Sequence, residues 1–123
     1  MTTLNILKVA TINARTTGAN LTTTSATSIL SNEVSSSHCM KINVLNVANT
    51  TSSIVTITVS LYTAAALGGN AYPIASNIAV PGNSTLNIID KSSQYYLDEN
   101  QSIGAIASSA SALIVTCSYE DMS

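Results

Sequence analysis

Apolar and polar side chains alternate with a period of two along much of this chain. In the clearest stretch, residues 54–62, the polar positions are Thr56, Thr58 and Ser60. The apolar positions between them are Val55, Ile57, Val59 and Leu61. Such alternation, with β-branched side chains on both faces, is typical of a β-strand that buries one face and exposes the other.

Other stretches show the same period less completely. Residues 112–120 place four side chains on one face of a predicted strand: Leu113, Val115, Cys117 and Tyr119. Residues 41–47 begin with the same alternation, which slips at Leu45 and Val47 and so predicts a β-bulge. Weaker strand candidates lie at residues 5–12, 21–30, 72–75, 78–80, 84–89 and 102–107.

Turn-forming residues separate the predicted strands, at 49–53, 68–70, 81–83 and 108–111. No window has the period of an amphipathic helix. Short strands at this spacing predict a single antiparallel β-sandwich, Ig-like or jelly-roll-like, of about seven to nine strands with little or no helix. We expect it to span residues 1–123, with an extended N-terminal arm plus the first strands as one option for residues 1–35.

The last two predicted strands are expected to pair as a hairpin. The pairing that puts apolar side chains on one face is Ile103 with Cys117, Ala105 with Val115 and Ala107 with Leu113. It would also bring four acidic residues to one end of the hairpin. These are Asp98 and Glu99 before the first strand, and Glu120 and Asp121 at the end of the second.

Four carboxylates at one end of a sheet could hold a hard cation such as calcium. The chain lacks the ligand spacing of a calcium-binding loop, so a solvated acidic rim, or one that meets Lys or Arg of a neighbouring subunit, is the favoured interpretation. Asp98 and Glu99 are adjacent and point to opposite faces of a strand, which disfavours a glycosidase pair. We therefore predict no metal or cofactor site.

Charge is scarce in this chain. Only 8% of residues are charged, against roughly 25% in an average soluble protein, and none of residues 42–89 is charged. Four basic residues cannot form the footprint that nucleic-acid or anionic-membrane binding requires. The polar surface must instead come from 35 Ser and Thr and 12 Asn residues. A neutral surface of this kind favours packing against other protein copies, and outward-facing Thr56 and Thr58 are candidate interface residues.

No catalytic motif stands out. His38 is the single histidine, and its polar surroundings indicate an ordinary loop residue rather than a general base. No G-x-S-x-G motif, which would indicate a serine nucleophile, occurs. His38 and the adjacent Cys39 are only two of the roughly four ligands that a zinc site needs. Lys8 interrupts the only apolar stretch near the start, so we expect no signal peptide and folding in a cytoplasm. That compartment favours buried free thiols at Cys39 and Cys117, although the sequence leaves a disulfide open.

Five segments of the chain share a pattern of turns and strands with a known family. They are Leu21–Asn32, Tyr72–Ala75, Ile78–Lys91, Tyr96–Glu99 and Cys117–Ser123. Together they resemble small virion structural proteins of tailed bacteriophages, especially those of T4-like cyanophages and other marine phages. The chain departs from that pattern at Asn100-Gln101, where the family has Gly-Asp, and at Ile103-Gly104, where a basic residue often follows.

The resemblance implies a non-enzymatic, multicopy β-sandwich in a virus particle assembled in the host cytoplasm. Small size and the lack of a fibrous repeat favour a capsid decoration (cement) protein, which bridges neighbouring capsid subunits. Its expected partners are the major capsid protein and further copies of itself, with no nucleic acid, membrane, small-molecule substrate or cofactor. The candidate interface residues are Thr56, Thr58, Asp98, Glu99, Glu120 and Asp121.

Two other functions remain open at this point. The chain could be a neck, tail or fibre-attachment component of the same particle. It could also be a carbohydrate- or receptor-binding module displayed on the particle, which the absence of Trp and Phe disfavours.

Overall fold

The structure, a computed structural model, describes residues 4–123, which form nine β-strands and one 3-10 helix. The elements are the 3-10 helix Ile6–Lys8 and the strands β1 (Ile12–Asn20), β2 (Thr27–Asn32), β3 (Cys39–Asn49), β4 (Val55–Ala64), β5 (Gly68–Val80), β6 (Thr85–Ile89), β7 (Tyr95–Leu97), β8 (Gln101–Ala107) and β9 (Leu113–Met122). None of these residues forms a helix long and apolar enough to cross a membrane. The predicted all-β fold is confirmed.

The strands form two antiparallel sheets that pack face to face. Sheet A has the order β1-β9-β3-β6, with β7 also paired to β3, and sheet B has the order β2-β8-β4-β5. The pairs β1–β9, β2–β8, β3–β6 and β4–β5 are nested like the two arms of one long hairpin. A long hairpin rolled up in this way is a jelly roll. Of the two sandwich types that we predicted, the structure therefore has the jelly-roll type and not the Ig-like type.

The predicted hairpin between the last two strands is wrong. Strand β8 lies between β2 and β4 in sheet B, whereas β9 lies between β1 and β3 in sheet A. Their apolar faces, including Ile103 on β8 and Val115 on β9, belong to the same buried core. Alternation reports which face of a strand is buried, but both sheets bury a face here, so it does not identify the neighbouring strand.

The core between the sheets is aliphatic. Its largest fully buried side chains are Leu21, Ile42, Leu45, Ile57, Ile89, Leu97, Ile103, Leu113, Val47, Val59, Val80 and Val115. The predicted slip in residues 41–47 is confirmed, because the register of β3 against β9 shifts between Ile42 and Val44. This bulge allows Ile42, Leu45 and Val47 all to face the core despite their uneven spacing.

Several strand boundaries differ from the predictions. Residues 72–75 and 78–80 belong to one strand, β5, whose register shifts where Asn77 adopts a left-handed conformation (φ 49°). Residues 5–12 form the 3-10 helix and the approach to β1, because the Asn5 side chain accepts a hydrogen bond from the amide of Leu7. In the predicted strand at 21–30, pairing begins only at Thr27.

The turn between β4 and β5 is held by neutral side chains. It falls at residues 65–67 rather than at the predicted 68–70. Three consecutive amides donate to side-chain oxygens: Ala65 to Asn100 Oδ1 (3.0 Å), Ala66 to Ser31 Oγ (3.0 Å) and Leu67 to Ser102 Oγ (2.9 Å). These bonds connect the turn between β4 and β5 to β2, to β8 and to the residue just before β8.

A buried asparagine organises the opposite end of the sandwich. Asn49, at the end of β3, donates to the carbonyls of Ser53 (2.7 Å) and Val80 (2.9 Å), and its Oδ1 accepts from the Thr51 amide (2.9 Å). The loop after β3 is thereby drawn against the turn at 81–84. Gly82 lies so close that an added Cβ would be 2.5 Å from the carbonyl carbon of Ser52.

This contact predicts that Gly82→Ala lowers the free energy of unfolding by about 2 kcal/mol, because backbone atoms would have to move. Gly18→Ala is the matched control, since its Cβ would meet only the Val115 oxygen, at 3.9 Å. We expect that control to change the free energy of unfolding by less than about 0.5 kcal/mol. Urea denaturation measures both, and equal losses in the two variants would contradict the contact.

Candidate functional site

Ionisable side chains from three elements meet at one end of the sandwich. His38 Nδ1 lies 2.6 Å from Asp121 Oδ1, and Arg15 Nε lies 3.6 Å from Asp121 Oδ2. Asp121 is on β9, Arg15 on β1, and His38 in the loop just before β3. The Asp121 side chain is only 12% exposed, so its two oxygens are largely shielded from water. We call this region, with the adjoining ends of β1, β3 and β9, the His38 end.

A second buried asparagine places His38 there. Asn32, at the end of β2, is fully buried and donates to the carbonyls of His38 (2.9 Å) and Leu97 (3.1 Å). The His38 amide donates to Ser36 Oγ (3.1 Å), which closes the loop on itself. The sequence-based assignment of His38 to a loop before a strand is confirmed. Its pairing with Asp121 was missed, because a partner 83 positions away depends on strand order alone.

The His38–Asp121 pair joins structural elements that are distant in the sequence. A histidine held by a carboxylate can act as a general base when its other side faces a nucleophile. Among the hydrogen bonds of residues 4–123, the His38 ring reaches only Asp121. Arg15 on β1 pairs with the other oxygen of that carboxylate. The arrangement links the 33–38 loop, β9 and the edge strand β1.

The four acidic candidates do lie toward the His38 end, but not through the predicted hairpin. Leu97, just before Asp98, pairs with one side of Met40 on β3, and Asp121 pairs with the other side. Two strand spacings, about 10 Å, therefore separate the two acidic pairs. Glu99 is buried and Glu120 stands opposite Lys41. Within the described part of the chain, no group of three or more His, Cys, Asp or Glu could hold a metal ion.

The cysteines are far apart and both are buried and free. Cys117 lies opposite Leu45 on β3, six residues from Cys39 and thus roughly 20 Å away along the strand, far beyond disulfide reach. Burial raises the pKa of the Cys117 thiol to about 11. Burial also raises the pKa of Cys39, and the negative charge of Asp98 adds to that increase.

Thr56 and Thr58 lie on the outer face of sheet B, as alternation predicted, since Val55, Ile57 and Val59 point into the core. Both threonines are half-buried. Thr58 Oγ1 accepts a hydrogen bond from the Asn77 amide (3.0 Å) and so belongs to the bulge of β5. Because the Thr58 side chain is bonded within the subunit, Thr56 is the better position at which to test an interface by substitution.

An apolar groove lies at the His38 end on the outer face of sheet A. The segment before β1 is tied to the last residue by the amides of Ala10 and Thr11, which donate to the Ser123 carbonyl. The groove is about 250 Å³ in volume and is lined by Leu4, Ile6, Cys39, Tyr96 and Asp98. Sequence analysis missed it, although apolar residues at 4, 6 and 7 ahead of the first strand were a visible signal.

Large apolar side chains are exposed around this groove. Leu7 is 91% exposed, Ile12 58%, Tyr96 48% and Ile6 45%. Cys39 and Met122 nearby are buried although alternation places them on the outer face of sheet A. The segment before β1 therefore covers the end of that face while presenting its own apolar side chains to solvent.

Comparison with known proteins adds to the fold. No protein-family model matches the chain, and no curated protein sequence matches it. A solved structure of Bacillus endospore appendages, described as disulfide-linked pili, is similar with a TM-score of 0.55 and 12% identity over 92% of this chain and 87% of that one. A structure of infectious bursal disease virus, Gx strain, aligns with a TM-score of 0.36 and 10% identity over 93% of this chain and 40% of that one. The first likeness supports the fold alone, and the second is too weak to carry an argument.

The His38–Asp121 hydrogen bond can be tested by its effect on stability. We expect His38→Ala to lower the free energy of unfolding by about 1 kcal/mol, and Lys91→Ala, in an exposed loop, to leave it unchanged. In a double-mutant cycle with Asp121→Asn, the two losses should be non-additive by roughly 0.5 kcal/mol or more. Additive losses would show that the two side chains do not interact.

The burial of the two cysteine thiols can be tested by their reactivity. A pKa of about 11 leaves roughly one Cys117 thiol in a thousand ionised at pH 8, so native protein should react with a thiol reagent far more slowly than unfolded protein. Asp98→Asn removes a charge that disfavours the Cys39 thiolate, so it should lower the pKa of Cys39 and speed its labelling. Asp90→Asn, in the turn after β6, is the control and should leave the labelling rate unchanged.

Proposed function

We propose that this chain is a non-enzymatic structural subunit that docks in many copies on the head of a bacteriophage, as a capsid decoration protein. The assignment to a phage particle rests on the sequence resemblance to small virion proteins. The docking role rests on one observation in the structure, the exposed apolar side chains around the groove at the His38 end. Leu7 and Ile12, both more than half exposed, flank the start of β1.

Such a surface has a simple energetic consequence. Covering a large aliphatic side chain that is exposed in the free subunit stabilises a contact by about 1.5–3 kcal/mol. The groove itself contains one charged side chain, Asp98, and nearby Arg15 and Asp121 are engaged with each other. Exposed large apolar side chains around a groove are typical of a protein–protein contact site. Many copies bound in this way would add buried area at the seams between capsid subunits.

A carbohydrate-binding module is less well supported. Tyr72, Tyr95 and Tyr96 are exposed and could in principle stack on sugar rings. Tyr95 and Tyr96 are neighbours on β7, however, and point to opposite faces of the strand. Tyr72 lies on β5, in the other sheet. The three rings do not form one platform.

The Bacillus appendages, whose fold is similar, are described as disulfide-linked pili. Both cysteines of this chain are buried and free, so we propose that its assembly relies on non-covalent contacts. A position at the neck or on the tail would use the same apolar surface. The place on the particle is therefore a question for imaging.

Immunogold electron microscopy of intact particles tests the proposed position. Gold spread over the head is the expected result, and gold confined to neck or tail would replace the decoration role with one at that location. Failure to label, with an epitope shown to be accessible, would exclude a virion protein.

Binding of purified variants to particles that lack the protein tests the docking surface. Leu7→Asp should lower occupancy at least about tenfold, because a charge would be buried in an apolar contact. Ile54→Asp is the control, a largely exposed apolar position (70%) at the opposite end of the sandwich, and should bind normally. Thr56→Lys probes the outer face of sheet B. Loss with Thr56→Lys but not Leu7→Asp would move the docking site to that face.

A further inference from the structure

One edge strand of this sandwich lacks the features that usually prevent edge-to-edge pairing. Natural edges are short, bulged, charged or interrupted by proline. Strand β2 has six residues and a register shift, β6 has five and a register shift, and β5 contains Pro73 and several shifts. Strand β1 has nine residues and pairs with β9 without a break, from Ile12 with Met122 to Asn20 with Ile114.

The backbone groups on the open side of β1 can be identified. Thr11 and Ser123 exchange hydrogen bonds, and the Leu21 amide donates to the Leu113 carbonyl, both in line with the register of β1 and β9. In an antiparallel pair, hydrogen-bonded residues alternate along each strand, so the odd-numbered residues of β1 face β9. The even-numbered residues point their amides and carbonyls away from it: Ile12, Ala14, Thr16, Gly18 and Asn20. No strand in residues 4–123 pairs with this side.

Charge does not protect this edge either. Arg15 is the only charged residue of β1, and it is engaged with Asp121 of its own subunit. It also belongs to the odd-numbered set, whose backbone groups face β9. The open side of β1 is therefore a neutral row of unpaired donors and acceptors.

We propose that β1 pairs antiparallel with β1 of a second copy of this chain, in the register centred on Thr16. This inference deepens the proposed function and rests on its multicopy character. Pairing would join the two A sheets into one continuous sheet across a twofold axis. Such β-augmentation obtains affinity from main-chain hydrogen bonds and needs no side-chain pocket.

The sequence of β1 is compatible with itself in this register. It is the one antiparallel register that uses all nine residues, and it pairs even-numbered residues with even-numbered ones, as the hydrogen-bond directions require. Thr16 stands opposite Thr16, and Ala14 opposite Gly18, which leaves no bulky conflict at the centre. Arg15 stands opposite Thr17, so no like charges face each other. A second copy can therefore supply hydrogen-bond partners for the backbone amides and carbonyls on the open side of β1.

The first test compares Thr16→Pro with Thr16→Ala in purified full-length protein, using native mass spectrometry and light scattering over a range of concentrations. Proline removes an amide on the open side and spares the bonds to β9. Both variants lose the weak bond from Thr16 Oγ1 to Ser118 Oγ (3.4 Å), so that loss cancels. We expect a dimeric wild type, a dimeric Thr16→Ala, and a dissociation constant raised about tenfold or more in Thr16→Pro.

A charge-swap experiment covers the case in which Thr16→Pro fails to fold. Thr16→Lys and Thr16→Glu should each dimerise weakly, because like charges would stand directly opposite on the outer face of sheet A. An equimolar mixture of the two should restore a dimer that contains one copy of each. A mixture with no preference for mixed dimers would overturn the register.

The outcomes separate this inference from the proposed function. A monomeric wild type, or a Thr16→Pro dimer as tight as the wild type, would overturn β1 pairing while leaving particle docking through the Leu7 surface intact. A wild-type dimer disrupted by Thr16→Pro would support β1 pairing even if gold labelling failed to find the protein on a head.

Discussion

The fold depends on neutral side chains that hydrogen-bond the backbone where the strands end. A jelly roll has many crossings between its sheets, and each crossing leaves amides and carbonyls without ladder partners. In this chain Asn32 and Asn49, both buried, bind carbonyls at opposite ends of the sandwich. At the tip of the rolled hairpin, Asn100 and Ser102 accept hydrogen bonds from the amides of Ala65 and Leu67. Among the described residues, no buried side-chain polar atom lacks a hydrogen-bond partner.

This dependence explains a composition that is rich in Ser, Thr and Asn and poor in charge. Hydroxyl and amide groups can be buried with their partners at much lower cost than ions. Asp121, whose side chain is only 12% exposed, is paired with His38 and Arg15 at the His38 end. Their cluster joins a loop, a central strand and the edge strand β1, and so stabilises the region where the apolar groove also lies.

The same scarcity of charge has a consequence for association. Charged side chains are the usual means of keeping an edge strand or an apolar patch solvated, and this chain has few to spare. Where bulges, proline or short length protect an edge, as in β2, β5 and β6, charge is not needed. Strand β1 is neither short, bulged nor interrupted by proline, and its one charged residue, Arg15, is engaged with Asp121. The proposed docking surface at the His38 end therefore adjoins the proposed self-pairing edge, which runs along β1 from that end.

The sequence by itself determined the class of fold and much of the inward-facing pattern. Period-two alternation in residues 54–62 and 112–120 identified the core-facing side chains, because burial of one face is a local property of each strand. The slip at Leu45 located the bulge of β3 for the same reason. The turns at 49–53, 81–83 and 108–111 were also found locally, from residue types that favour turns.

Only the tertiary structure decided which strands are neighbours. Both sheets bury an apolar face, so the patterns of β8 and β9 fit a hairpin as well as they fit opposite sheets. Strand order in turn decided the contact between His38 and Asp121, the separation of Cys39 from Cys117, and the placement of the acidic pairs on either side of β3. Such contacts join residues tens of positions apart, and their partners are set by how the long hairpin rolls up rather than by any local pattern.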